Sequence, residues 1–167
     1  VSLWSTESWQ EKKRLPDARY PTVFSPDGQW LVTGAVGGYR VWNTRTWQAA
    51  GFCPGVPVPG FLWQSEHGVA ISPDGLLLVT AGHPDGQKVG QFQVWDFPSL
   101  TIRPGFSPQV FEHAPAVFTP DSKHLLIGDQ IGRLMVWDVD EGRLEDTRNE
   151  HTGGITAICY ARDGRTM

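Results

Sequence analysis

The stretch TVFSPDGQWLVTGAVGGYRVWN, from Thr22 to Asn43, decides the fold. It holds three short apolar runs separated by two turns. In Ser25-Pro26-Asp27-Gly28, proline pre-sets φ for the first central position of a turn and glycine accepts positive φ. The Asp27 side chain can hydrogen-bond the turn backbone. The second turn falls among Gly34, Gly37 and Gly38, which read as hairpin glycines. Short apolar runs bounded by Gly, Pro and Asp are strands, whereas a helix would place apolar residues at i, i+3 and i+4 over ten or more positions.

The rest of the chain repeats this stretch. The first turn returns as ISPDG at 71–75, FTPDS at 118–122 and, more weakly, ARDG at 161–164. The closing Val41-Trp42-Asn43 returns as Val94-Trp95-Asp96 and Val136-Trp137-Asp138, with a truncated copy at Leu3-Trp4-Ser5. Asp27, Asp74, Asp121 and Asp163 recur at intervals of 47, 47 and 42 residues, and Trp4, Trp42, Trp95 and Trp137 at 38, 53 and 42. Five residues after each of the first three Trp stands Trp9, Trp47 or Leu100, an apolar anchor for an outer strand. A period of this size with one turn signal and one closing Trp per unit predicts four-stranded propeller blades.

The expected fold class is therefore all-β: a β-propeller of four-stranded antiparallel blades, as a segment of a larger propeller. Residues 1–14 end one blade, with an outer strand at 8–13. Residues 20–50, 67–103 and 115–148 form complete blades. Residues 151–167 start another, with a strand at 155–160. In the complete blades the expected strands are 20–24, 30–33, 39–42 and 46–50; then 68–71, 76–80, 91–95 and 100–103; then 116–118, 124–127, 134–137 and 143–147.

Composition agrees. Eight Trp, eight Phe and nineteen Gly in 167 residues, with modest charge, suit a turn-rich β fold with a real core. A net charge of −4 argues against a large nucleic-acid or anionic-membrane surface. Cys53 and Cys159 make no disulfide framework and have no metal-ligand spacing, which favours a reducing compartment and a cytoplasmic location. No apolar run approaches the roughly 20 residues of a membrane-spanning helix, and no signal-like segment opens the chain. The chain begins inside a repeat without an initiator Met and ends at Met167 where a strand should begin, so a piece of a longer protein is expected. In an alternative arrangement the two ends complete one another and close a four-blade ring.

The pattern resembles the WD-repeat β-propellers, through Phe24–Gly28, Ile71–Gly75 and the Trp42, Trp95 and Trp137 motifs, over essentially the whole chain. That resemblance implies a tetrad in each blade: a His before the first strand, a Ser or Thr in the second, an Asp in the next turn, and the Trp. Thr33 and Thr80 match the hydroxyl position and Ile127 does not. Val36 and Ile131 stand where the Asp would be. His151 alone lies at the usual distance before its turn. The tetrad is degraded, and apolar packing is expected to hold the blades. The periplasmic and peptidase-associated propellers share the Pro-Asp-Gly turn but usually lack the Val-Trp-Asp ending, and rank second.

The resemblance also implies that the connections between blades and the turns between second and third strands share one face. Both are expanded here, at 51–66, 83–90 and 104–112, and long loops in compact domains are often functional. Phe52, Phe61, Trp63, His83, Asp85 and Phe106 are the candidate partner-binding residues, since aromatics on a loop-rich face are good anchors. Against this stands a packing reading, in which the aromatics fold back and plug the blade tops. Glu66-His67, Glu112-His113 and Glu150-His151 invite metal or acid–base chemistry with His83 and Asp85; as degenerate copies of the pre-strand His they need neither. There is no phosphate-cradling loop followed by Lys, no zinc-protease motif and no nucleophile elbow. Trp42, Trp95, Trp137, Asp27, Asp74, Asp121 and His151 are read as structural repeat residues.

The expected function is a non-catalytic scaffold binding protein partners, with no enzyme activity, no cofactor, no metal, no nucleic acid and no membrane. The rival is a ligand-binding or hydrolytic propeller with a Glu/His-lined site. A third reading is a sensor segment of a multidomain protein.

Overall fold

The computed structural model describes residues 1–55, 68–82, 90–104, 109–110, 114–149, 151–161 and 163–167. These residues form fifteen strands and no helix. The first unit is a hairpin of β1 (Ser2–Trp4) and β2 (Glu11–Arg14). The first complete blade is β3 (Arg19–Phe24), β4 (Trp30–Ala35), β5 (Gly38–Asn43) and β6 (Ala49–Pro54), paired in that order. The second is β7 (Val69–Ile71), β8 (Leu77–Gly82), β9 (Gly90–Asp96) and β10 (Thr101–Ile102), with β11 (Gln109–Val110) also on β9. The third is β12 (Ala116–Phe118), β13 (His124–Gly128), β14 (Leu134–Asp138) and β15 (Arg143–Arg148). Every pairing among the described strands is antiparallel.

Side chains on a strand alternate between its two faces, and in the middle strands both faces are buried. Leu31 and Trp42 pack toward the first unit with Leu15 and Leu3, while Val32 and Val41 pack toward the second blade with Leu78 and Trp95. Leu77, Val79 and Val94 then pack toward Leu125, Ile127 and Met135 of the third blade. The continuous runs Leu31-Val32 and Leu77-Leu78-Val79 are apolar throughout because neighbouring residues serve different interblade cores. Trp30 meets Phe97 edge-on across one of these cores, with centroids 6.3 Å apart. The Tyr39 hydroxyl donates to the carbonyl of Ala81 in the next blade at 2.8 Å, and burial pushes its pKa well above the usual phenol value.

One local device recurs in all four units. Trp9, Trp47, Leu100 and Gly142 each stand five residues after the unit's Trp. Each has left-handed φ, at 54°, 55°, 59° and 63°, and each donates its N–H to the carbonyl four residues earlier. The turn that starts the outer strand is therefore the same in every unit, although only Gly142 adopts this φ without steric cost.

Four strand expectations change. The outer strand of the first complete blade is Ala49–Pro54 rather than 46–50, because Trp47 is consumed by the left-handed turn, so Phe52 sits on this strand and not on the expanded 51–66 connection. The first outer strand is Glu11–Arg14, later than 8–13, because Trp9 is consumed by the left-handed turn. The outer strand of the second blade is two short pieces, β10 and β11, rather than one at 100–103. Leu100 belongs to the turn, and Pro104 has no N–H with which to continue the ladder. Residues 155–160 form no strand, because no described strand pairs with them; Ile155 instead donates its N–H to Asp129 O at 2.8 Å.

Candidate functional site

The blades stack so that equivalent ends share a face. At one end, Asp74 N–H of the second blade donates to Ser122 Oγ of the third at 3.2 Å. Near it, Arg103 of the second blade bonds Asp96 at 2.7 Å and approaches Asp140 of the third at 3.8 Å. At the other end, the Tyr39 to Ala81 bond joins the first blade to the second, and Gly68 lies against the backbone of Ala114 and Ala116.

The first face is made of the repeated turns, and its hydrogen bonds are copied from blade to blade. Ser25, Ser72 and Thr119 donate their hydroxyls to Asp27, Asp74 and Asp121, each at 2.5 Å. The same carboxylate oxygens accept the N–H of Gln29, Leu76 and Lys123. The hydroxyls in turn accept the N–H of Trp30, Leu77 and His124. Asp163 repeats part of this by accepting the N–H of Arg165 at 2.9 Å. The Ser25 hydroxyl, then the Gln29 N–H, hold the Asp27 carboxyl below its usual range, and Thr119 and Lys123 do the same for Asp121. These Asp and Ser residues hold turns. The Ser25 and Ser72 hydroxyls are each engaged by the Asp and the backbone N–H of their own turn.

Between the faces, Trp42 Nε1 donates to Thr33 Oγ1 at 3.0 Å and Trp95 Nε1 to Thr80 Oγ1 at 2.9 Å, both buried. In the third blade Ile127 offers Trp137 no hydroxyl. His151 is exposed, and its carbonyl lies so close to Gly132 that a β-carbon there would collide with it.

The second face carries the described turns between second and third strands, at 36–37 and 129–133, and the strand end from which the first blade leads on to the next. Gly38 pairs with Pro54 across β5 and β6, so the 36–37 turn stands beside the exit toward residues 56–67. A β-carbon on Gly38 would collide with Cys53 O and lie 3.0 Å from the Phe52 ring, so the ring lies over this turn. Phe52 is 42% exposed and Val36 is 65% exposed. In the third blade the equivalent turn is held by the buried Asp129, which accepts the N–H groups of Ile131 and Arg133 and the Arg133 guanidinium at 2.6 Å. Burial pushes its pKa up, but these donors outweigh it and the carboxyl lies below its usual range. At the tip of that turn Ile131 is 64% exposed.

Of the candidate partner-binding residues, Phe52 is placed on this face. Phe61, Trp63, His83, Asp85 and Phe106 lie outside the described residues, as do Glu66, His67, Glu112, His113 and Glu150. The structure adds Val36 and Ile131, two large apolar side chains at matching turn tips on the same face. Their sequence signal was the missing tetrad Asp: an apolar residue in a turn position that a polar residue would fill.

No protein-family model matches the chain. Curated relatives do. The chain is 29% identical over 100 residues to human Protein Atg16l2, covering 59% of this chain and 16% of that protein. It is 30% identical over 80 residues to Periodic tryptophan protein 2 of Arabidopsis thaliana, covering 48% and 9%. With the mouse Periodic tryptophan protein 2 homolog it shares 26% over 161 residues, which is 94% of this chain and 16% of that protein. The chain thus spans a small part of the length of these relatives. Among solved structures, the RRP9 WD40 repeats superpose with a TM-score of 0.63 at 18% identity, covering 87% of this chain and 42% of that one. A chain of Kuenenia stuttgartiensis hydrazine synthase superposes at 0.68 with 17% identity, covering 92% and 42%. At such identities these likenesses show the fold alone.

Proposed function

We propose that this stretch of WD-repeat β-propeller is a non-catalytic scaffold that binds a protein partner on the face carrying Val36, Phe52 and Ile131. The observation that carries the reading is the exposure of Val36 and Ile131. Both occupy turn tips where a small or polar residue would serve the fold equally well, and neither packs in an interblade core. Exposed apolar residues repeated on one face of a rigid scaffold are suited to partner contact. Phe61, Trp63, His83, Asp85 and Phe106, which lie outside the described residues, are candidates for the same partner on the family resemblance. The net charge of −4 supports a protein partner over nucleic acid or an anionic membrane. Two free cysteines support a reducing, cytoplasmic setting.

The test is partner capture by immobilised chain, comparing wild type with a Val36→Ser, Phe52→Ser, Ile131→Ser triple variant. Loss of capture with an unchanged β circular dichroism spectrum is expected. Undiminished capture by the folded variant would defeat the reading.

A further inference from the structure

His124, Asp138 and Glu145 come from three neighbouring strands of the third blade and converge at the end of the sheet where the repeated turns lie. His124 opens β13 and is the direct cross-strand partner of Asp138, the last residue of β14. Glu145 reaches the same place by a different route. On β15, Asp146 pairs with Val136 but Leu144 pairs with Trp137, so Glu145 is the extra residue of a β-bulge. A bulge re-aims the side chain it carries, and here it brings the Glu145 carboxylate to 3.0 Å from His124 Nε2. The N–H of Glu141 donates to Asp138 Oδ1 at 2.7 Å and orients that carboxylate. One imidazole nitrogen and two carboxylate oxygens thus lie within 4.8 Å of one another.

We propose that His124, Asp138 and Glu145 form a binding site for a divalent transition-metal ion of the zinc type. An imidazole with two carboxylates suits a borderline cation, whereas magnesium and calcium favour all-oxygen sets. Bond lengths of about 2.0–2.2 Å to zinc require the donors to contract somewhat. Torsions of the Asp138 and Glu145 side chains supply this while the strands stay in place. Three protein ligands leave a coordination position for water, and the site is solvent-accessible, with the His124 and Glu145 side chains 29% and 39% exposed. The adjacent cation Arg143 is engaged by Glu141. A bound ion would tie the outer strand β15 directly to β13, which it does not otherwise pair with. The site lies on the face opposite Val36, Phe52 and Ile131, so it stands or falls independently of the partner-binding reading.

The experiment is calorimetric titration of the metal-stripped full chain with zinc chloride, paired with thermal melts with and without zinc. The expected result is one saturable equivalent and a zinc-dependent rise in melting temperature. His124→Ala should weaken binding at least tenfold and abolish the rise, and Glu145→Gln should weaken binding. His151→Ala, at an exposed histidine outside the set, should bind as wild type. Equal zinc affinity in His124→Ala, or no saturable binding by the folded wild type, would overturn the proposal. Should His124→Ala fail to fold, unchanged affinity in Glu145→Gln overturns it instead.

Discussion

Leu100 of the second blade fills the space beside Gly51 of the first: a β-carbon on Gly51 would collide with Leu100 Cδ1. Leu100 holds the left-handed turn position that follows the blade's Trp. Trp47, at the same position one unit earlier, packs against the buried cluster that contains Leu15 of the first unit. Trp9, one unit earlier again, is 76% exposed. In the two units that have both a described predecessor and a bulky residue at this position, that residue thus acts as a peg toward the preceding unit; the third blade has Gly142 there. That explains why bulky residues are held at a φ that glycine adopts more readily.

Gly51→Ala should therefore destabilise the chain by about 1–3 kcal/mol through overpacking. Removing the peg should relieve the clash, so in a Leu100→Ala background the added cost of Gly51→Ala should fall below ~1 kcal/mol. Urea denaturation of the four species reads this coupling. Strict additivity would show that the two side chains do not compete for one space.

The Trp95 indole N–H and the Thr80 hydroxyl are buried together. Thr80→Val leaves the donor without that acceptor and should cost about 1–3 kcal/mol. In the Trp95→Phe background, where the donor is gone, the same substitution should be close to neutral. A Thr80→Val penalty that persists in the Trp95→Phe background would assign the cost to packing. Denaturation midpoints of the double-mutant cycle decide it.

Asp129 predicts an acid sensitivity. Its folded pKa is depressed by the Arg133 and Ile131 N–H groups and the Arg133 guanidinium, against the opposing effect of burial. A depressed carboxyl stabilises the fold fully above its unfolded pKa, about 4, and that contribution is lost as pH falls through the lower folded value. Asp129→Asn should lower stability at neutral pH by about 1–3 kcal/mol. Its stability should also fall less steeply than wild type below about pH 4. Asp27 and Asp121 act in the same window, so the difference between the two curves is the quantity to measure. Parallel curves would remove Asp129 as a source of the acid loss.

The two cysteines should differ in reactivity. Cys53 is buried in the core between the first two blades, and burial pushes its thiol up to about 12; Cys159 is exposed. The thiolate is the reactive form. At mildly alkaline pH a thiol reagent should modify one equivalent quickly in the native chain and two after unfolding. Rapid modification of both in the native state would mean that the core opens readily at Cys53.

Much of this architecture is written locally. Each Ser-Pro-Asp-Gly carries its own turn, and alternation of side chains along Leu31-Val32 or Leu77-Leu78-Val79 demands burial on two faces. Repetition then implies stacked blades. The Trp42–Thr33 and Trp95–Thr80 bonds were legible because both partners sit at matching positions within one repeat. The His124, Asp138 and Glu145 cluster was not. Its members are 14 and 7 residues apart, outside any local motif, and Glu145 joins them through a bulge.

The sequence by itself determined the strand-and-turn grammar, the period and the closing Trp, because these depend on φ preferences and on alternation within a few residues. Tertiary structure decided which residues left over from that grammar remain exposed. Val36, Phe52 and Ile131 become a face only when three blades are stacked in register. The third blade's metal-type cluster exists only because cross-strand pairing and one extra residue on β15 carry three distant side chains to one point. Leu100 meets Gly51 for the same reason: contacts between blades depend on how sheets pack, and a local motif does not encode the position of its neighbour.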